Sequence, residues 1–210
     1  MRLTPELIVR AYASGIFPMA QSAESPEILW FEPHQRGVLP LERFHASRSL
    51  RRSLRRGDWR FSCDAAFAAV LEGCADRPET WINPEISQTF KELHAEGMAH
   101  SVEVWAGDQL AGGVYGLALG GAFFAESMFS SRTDGSKLAL AELVARLRMA
   151  GFVLLDTQYL TPHLERLGGT EISRRAYRHQ LAAALERGAD HARAFEPANP
   201  AAASGAFWTP

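Results

Sequence analysis

Cysteine is scarce. Only Cys63 and Cys74 occur, eleven positions apart, without the paired short spacings of a zinc site. Two cysteines in a chain of 210 residues suggest reduced thiols in a cytosolic protein. Long apolar runs are missing too: none approaches the roughly 18 residues that span a bilayer, and the N-terminus has no signal-peptide core. No membrane partner and a cytoplasmic location are therefore expected. Charge of one sign is not in excess either. The net charge of -2 gives no global reason to expect nucleic acid, so any basic surface must be local. There is no internal repeat, and His45, His94, His100 and His163 fall at no metal-ligand spacing, so no metal is expected. What remains is an ordinary soluble composition, 47% apolar and 22% charged. The length suffices for one large domain or two unequal ones with a real core.

The chain begins with a capped helix: Thr4 at N-cap, Pro5 in the first turn, Leu7, Ile8, Ala11 and Tyr12 on one face, and Gly15 past the end. An apolar loop, Gly15–Met19, either packs under the larger domain or lines a pocket. Between residues 36 and 60 eight arginines face only Glu42 and Asp58. Within that run Ser47 can cap a short helix in which Arg48, Arg51, Arg52 and Arg55 share a face. Such a run is either a solvated face or a phosphate-binding one. The exclusive use of Arg, in a chain otherwise slightly acidic, favours phosphate. Asp64 opens a helix through residues 65–75, and Asn83-Pro84 opens another that closes at Gly97. Strands follow over 101–105, 110–119 and 122–129, divided by turns at 106–109 and at Gly120-Gly121. Ser136 can open a long helix over 138–149 that ends at Gly151.

The stretch after Gly151 is the one around which the chain is organised. Phe152-Val153-Leu154-Leu155 reads as a strand buried on both faces, yet Asp156 comes directly after, with Gln158 two positions on. In a strand those two side chains point the same way, into one cavity. The bland alternative is that Asp156 ends the strand and caps the helix near Pro162. Glu126 interrupts its own apolar strand in the same manner; its alternative is a partner Arg nearby.

Two unequal units and a tail are expected: a small helical and loop N-terminal domain over 1–62, carrying the Arg-rich helix; a catalytic domain over 63–190; and a loose Ala/Pro-rich tail over 191–210. Helices, an antiparallel meander, a long helix, a return strand and a last helix make an α+β chain. Its order is similar to that of the GNAT fold, a mixed sheet with flanking helices. Fold alone does not dictate reaction.

The segments GIFPM, FHASRSL, TWI, AHSVEVW, LAGGVYGLALG, ESMFS and LLDTQYLTPHLERLGG together resemble the leucyl/phenylalanyl-tRNA–protein transferase family, from about Leu7 to Leu185. The resemblance implies a cytosolic enzyme, without cofactor. It would move Leu or Phe, and Met less well, from aminoacyl-tRNA to the N-terminal Lys or Arg of acceptor proteins, marking them for degradation. A monomer is expected. Four positions depart from the family's common residues: Met19 (often Trp), Phe90 (often Tyr), and Leu143 and Leu147 (often Phe). Each stays apolar, with adenine stacking weaker or moved to Trp81.

Within that reading the residues take roles. Asp156 and Gln158 are the catalytic candidates: the amide carbonyl aims the amine, and the carboxylate holds the Gln or the ammonium. Glu126 completes an anionic pocket for a basic chain end. Val114, Phe123, Leu140, Leu143 and Leu147 are candidates for an apolar donor slot, though residues at such spacing are as often plain core. Met19, Trp81 and Phe90 are candidates on the adenosine side, and Arg48, Arg51, Arg52 and Arg55 for the tRNA backbone. Two alternatives remain: an acetyl-CoA-dependent N-acetyltransferase of the same fold, and a non-catalytic RNA-binding protein. Against the first, residues 132–136 supply one Gly and an acid where a pyrophosphate loop should sit. The second would not need carboxylates in the sheet.

Overall fold

Three helices begin on one chemical signal, a polar side chain that caps the first turn followed by proline. Thr4 accepts from Leu7 N at the start of α1 (Pro5–Ala13), Asn83 from Ile86 N at α4 (Pro84–Ala95), and Thr161 from Leu164 N at α6 (Pro162–Arg166). The computed structural model describes residues 2–56 and 59–196. After α1, a small hairpin pairs β1 (Phe17–Ala20) with β2 (Ile28–Phe31). Then come β3 (Gln35–Val38), α2 (Arg48–Arg56), β4 (Trp59–Cys63) and α3 (Phe67–Ala75) ahead of α4. The meander is β5 (Ala99–Ala106), β6 (Gln109–Leu119) and β7 (Ala122–Ser130), and α5 (Gly135–Met149) crosses from it to β8 (Leu154–Gln158). After α6 the chain closes with β9 (Thr170–Ser173), α7 (Arg174–Glu186) and α8 (His191–Ala194).

Seven strands form one mixed sheet in the order β4-β5-β6-β7-β8-β3-β9; β7 and β8 run parallel and the other neighbours antiparallel. Successive residues of a strand feed opposite faces. Phe123 and Leu155 join the core under α5, whereas Phe124 and Leu154 join the one under α1, α3, α4 and α7. The fold class is thus α+β with a mixed sheet covered by helices on both faces.

Several boundaries differ from the sequence reading. The division at residue 62 falls inside β4, and β3 lies within the main sheet between β8 and β9, so residues 35–62 are part of the sheet and its cover. Local patterning misses β3 because its four residues, Gln-Arg-Gly-Val, show no alternation; long-range pairing makes the strand. Asp64 does not open a helix: it sits at φ +55°, its carboxylate binding Ser101 N at 2.8 Å and His100 Nδ1 at 2.7 Å, and α3 starts at Phe67. The expected tail is ordered at its start. Residues 191–194 form α8, and Phe195 stacks on His100 at 3.8 Å and packs into the core. Phe207 and Trp208 lie outside the described residues. Among the described residues no helix is long and apolar enough to cross a membrane, and no three His, Cys, Asp or Glu side chains converge as a metal site needs.

Candidate active site

The two parallel strands at the sheet's centre pair for only three residues, 122–124 with 154–156, and then part. The gap they leave, roofed by β1 and the start of α6, is a cavity of about 470 Å³. Its walls take Ala125, Glu126, Ser127 and Met128 from β7, and Thr157 and Gln158 from β8. Glu126 enters because β7 is bulged. Tyr115 pairs with Ser127 and Gly116 with Ala125, so Glu126 has no partner on β6. Gly116 allows this crowding, since a Cβ there would lie 2.1 Å from the Phe124 carbonyl oxygen.

Gln158 is re-aimed by a different device. Its φ is +55°, a conformation costly for a residue with a Cβ, and its backbone N–H donates to Asp156 Oδ1 at 2.9 Å. Gly37 of β3 permits the close approach, because a Cβ there would lie 2.5 Å from the Tyr159 carbonyl carbon. One amide orientation puts Nε2 3.5 Å from Glu126 Oε1. The reverse lets Nε2 donate to Ala125 O at 2.9 Å and Thr157 O at 3.1 Å, which turns the carbonyl toward Glu126. The second orientation satisfies more hydrogen bonds. It also suits the state of Glu126. Burial pushes that carboxyl up to about 8, with the Tyr12 hydroxyl lowering it, the Asp156 charge raising it and Arg36 lowering it again. A protonated Glu126 can donate to the Gln158 carbonyl.

Asp156 itself does not reach the cavity. It is fully buried and accepts four bonds: from Arg36 Nε at 2.9 Å, Arg36 Nη2 at 2.6 Å, the Tyr177 hydroxyl at 2.7 Å and Gln158 N. Its two oxygens are saturated, so a direct hold on a substrate ammonium is ruled out; what Asp156 holds is the Gln158 backbone. Arg36, read from sequence as part of the basic run, is 1% exposed. Its guanidinium also donates to Gly15 O at 2.9 Å and lies 4.6 Å from the Phe17 ring and 4.4 Å from that of Tyr177. Burial works against its charge, but hydrogen bonds to Asp156 and the carboxylate's field prevail and raise its pKa. Arg36 and Tyr177 are the site residues that sequence reasoning missed. The available signal was an Arg at the head of Gly37-Val38-Leu39, where an apolar run starts.

Of the other candidates, Met19, Trp81, Val114 and Leu140 line the cavity together with Phe17 and Met128. Phe90, Phe123, Leu143 and Leu147 do not; they are core. Phe90 is 0% exposed and edge-on to Tyr115 under α4, and Phe123, Leu143 and Leu147 fill the layer between sheet and α5. Periodicity marks them as buried but does not say which buried face opens on a gap. The Arg helix α2 is anchored by buried Leu50 and capped by Ser47, which accepts from Leu50 N at 3.1 Å. Arg48, Arg52 and Arg55 are exposed, whereas half-buried Arg51 donates from Nε to Ala46 O at 3.1 Å.

One cavity thus has apolar side chains beside an acid–amide pair, room for an apolar group next to polar groups able to hold an amine. Two family models match, "Leucyl/phenylalanyl-tRNA protein transferase" over residues 38–182 and its N-terminal domain over residues 1–34. The chain belongs to the leucyl/phenylalanyl-tRNA protein transferase family. Curated relatives of that name include one from Ruegeria sp., 57% identical over 190 residues (90% of each chain), and one from Cereibacter sphaeroides, 61% identical over 184 residues (88% of this chain, 86% of the other). A third, from Paramagnetospirillum magneticum, is 58% identical over 187 residues, covering 87% of this chain and 90% of the other. The two family models meet near residues 34–38, at the entry to β3, and not at 62. Among solved structures, L-PGS from Bacillus licheniformis aligns with TM-score 0.44 at 10% identity over 91% of this chain and 62% of that one, too remote to bear on function.

Proposed function

We propose that this chain transfers Leu or Phe, and Met less well, from aminoacyl-tRNA to the N-terminal Lys or Arg of acceptor proteins, creating a degradation signal, on a GNAT-like sheet. The observation that carries the reading is the parting of β7 and β8, which sets Gln158 and Glu126 in one cavity with Val114, Met128 and Leu140. The apolar side takes the donor's side chain. Such a slot separates substrates by only about 1–3 kcal/mol per methylene, so Leu, Phe and Met are accepted together. Trp81 offers a stacking surface for the terminal adenine, a contact worth about 1–3 kcal/mol.

The chemistry is ester aminolysis. The acceptor nitrogen forms a bond to the acyl carbon, the bond to the ribose oxygen breaks, and a proton passes from nitrogen to that oxygen. A free α-amine has a pKa of about 7.7–8.0, so roughly a tenth is already neutral at pH 7 and no strong base is needed. Alignment, worth up to about 7–11 kcal/mol, dominates. The Gln158 carbonyl accepts a hydrogen bond from the amine and aims its lone pair. Asp156, locked by Arg36 and Tyr177, fixes the backbone that carries it. The direct test is transfer of labelled Leu from charged tRNA to an Arg-initiated peptide, with RNase as control. No transfer of Leu, with acetyl passing from acetyl-CoA to the peptide instead, would reject the reading.

The electrostatics give two expected results. In the free site Glu126 is neutral below about pH 8. A cationic acceptor favours the ionised form, so binding releases a proton and tightens as pH rises toward 8. The peptide KM should fall by up to about tenfold per pH unit in that window. Glu126→Gln should remove that share of the fall, leaving only what the acceptor amine's own titration at about 7.7–8.0 contributes; a KM equally pH-dependent in that variant would remove Glu126 from acceptor recognition. For tRNA, Arg52→Ala combined with Arg55→Ala should weaken binding and flatten its salt dependence by about 0.7–0.9 per lost phosphate contact. Unchanged binding across several salt concentrations would make α2 a solvated face.

A further inference from the structure

Beyond Phe124 one edge of β7 has no strand beside it among the described residues. The other edge stays paired with β6 to its end, and an antiparallel ladder turns alternate residues toward the partner. Ser131 N donates to Ala111 O at 3.0 Å, so Ser131 faces β6, and counting back in twos so do Phe129 and Ser127. Met128 and Ser130 therefore turn their backbone N–H and C=O groups the other way, over the gap that β8 leaves. Two side chains agree with this count. Arg77 donates to Met128 O, and the Gln158 amide donates to Ala125 O at 2.9 Å. Among the described residues no backbone group pairs with Met128 N, Ser130 N or Ser130 O from that side.

An open strand edge is a template for another extended chain. This one leads out of the cavity that holds Glu126 and Gln158 into a second, of about 530 Å³. The two share Arg77, Met128 and His163, and Asp76, Ser130 and Ser131 also line the second. A row of backbone donors and acceptors suits a polypeptide. A phosphate chain would draw on guanidinium groups, whereas the second cavity has Arg77, already engaged, and the acid Asp76.

Resting on the proposed function, we infer that the acceptor's first residues bind as an added strand along the open edge of β7, parallel to it, in the place that β8 vacates. With its α-amine at Gln158 and Glu126, the acceptor leaves toward Ser130, the direction in which β7 itself runs. Its first carbonyl accepts from Met128 N. Its third residue donates to Met128 O, which has a second lone pair beside the Arg77 bond, and accepts from Ser130 N. The N–H groups of the second and fourth residues point away from β7. An acceptor must then be extended over at least three residues, and a folded N-terminus is refused.

The test is transfer of labelled Leu from charged tRNA to Arg-initiated hexapeptides that carry one N-methyl amide, at the second, third or fourth residue. Methylation at the third should lower kcat/KM roughly 5- to 150-fold, the effect of a hydrogen bond left unmade, and methylation at the second or fourth should be tolerated. An ester in place of the third residue's amide, which removes the N–H without adding bulk, should reproduce part of the loss. Independently of turnover, saturating unmodified peptide should slow hydrogen exchange at Met128 N and Ser130 N. Losses that do not alternate, or that fall on the second residue and not the third, would overturn the added strand. Exchange slowed by uncharged tRNA and not by peptide would give the edge to RNA and overturn it too. No transfer even to the unmodified peptide would overturn the proposed function, and the inference with it.

Discussion

Arg36→Ala should cost the protein about 3–5 kcal/mol of stability, because it leaves the Asp156 carboxylate buried without its cation. For a chain of this length that corresponds to a fall in Tm of about 2–4 °C per kcal/mol. Asp156→Ala should do similar harm from the other side, stranding the guanidinium between Phe17 and Tyr177. Transfer would then be lost with stability, which makes either single variant a poor probe of chemistry. The informative variant is the double replacement Arg36→Met with Asp156→Leu. Apolar residues of similar volume often restore what a broken ion pair removes. Urea midpoints should recover most of the loss at unchanged m-value. Transfer should stay absent, because no carboxylate then holds the Gln158 N–H. Recovery of activity along with stability would show that the ion pair only holds the fold.

Gln158→Gly is the second large effect, and it runs in opposite directions for fold and function. The left-handed conformation costs a residue with a Cβ about 1–2 kcal/mol and glycine nearly nothing. Stability should therefore stay within about 1 kcal/mol of wild type. Removing the amide takes away the group that aims the amine, and kcat should fall by about 10²–10³. Gln158→Ala, which keeps the strain, should match it in rate and not in stability. A Gln158→Gly variant within tenfold of wild-type kcat would remove the amide from the mechanism.

Caps, prolines and alternation carry a local signal, and they place α1, α4, α5 and the three-stranded meander from sequence. The central oddity, a carboxylate ending an apolar strand, is also legible and marks Asp156, Gln158 and Glu126. What alternation cannot supply is the change of direction at Gln158. It assumes an extended chain, and the φ of +55° breaks that assumption at a residue that lines the cavity. Nor can it show that Asp156 is sealed, since its partners Arg36 and Tyr177 stand 120 and 21 positions away. The expected anionic hollow with two carboxylates is therefore a hollow with one, Glu126, backed by an ion pair. The bulge at Glu126 leaves no mark on the strand's composition, and only pairing with β6 exposes it.

The position of β3 also bears on how the chain is made. Its partners on either side, β8 and β9, lie more than a hundred residues downstream. At ribosomal rates of about 5–20 residues per second, roughly 6–24 s separate the polymerisation of Arg36 from that of residue 156. During that interval the middle of the sheet cannot form, and the nascent N-terminal segment has an unclaimed strand and an Arg36 without its carboxylate. The parted strands and the cavity between them are therefore among the last parts to assemble, and a translation product that stops before residue 156 lacks them.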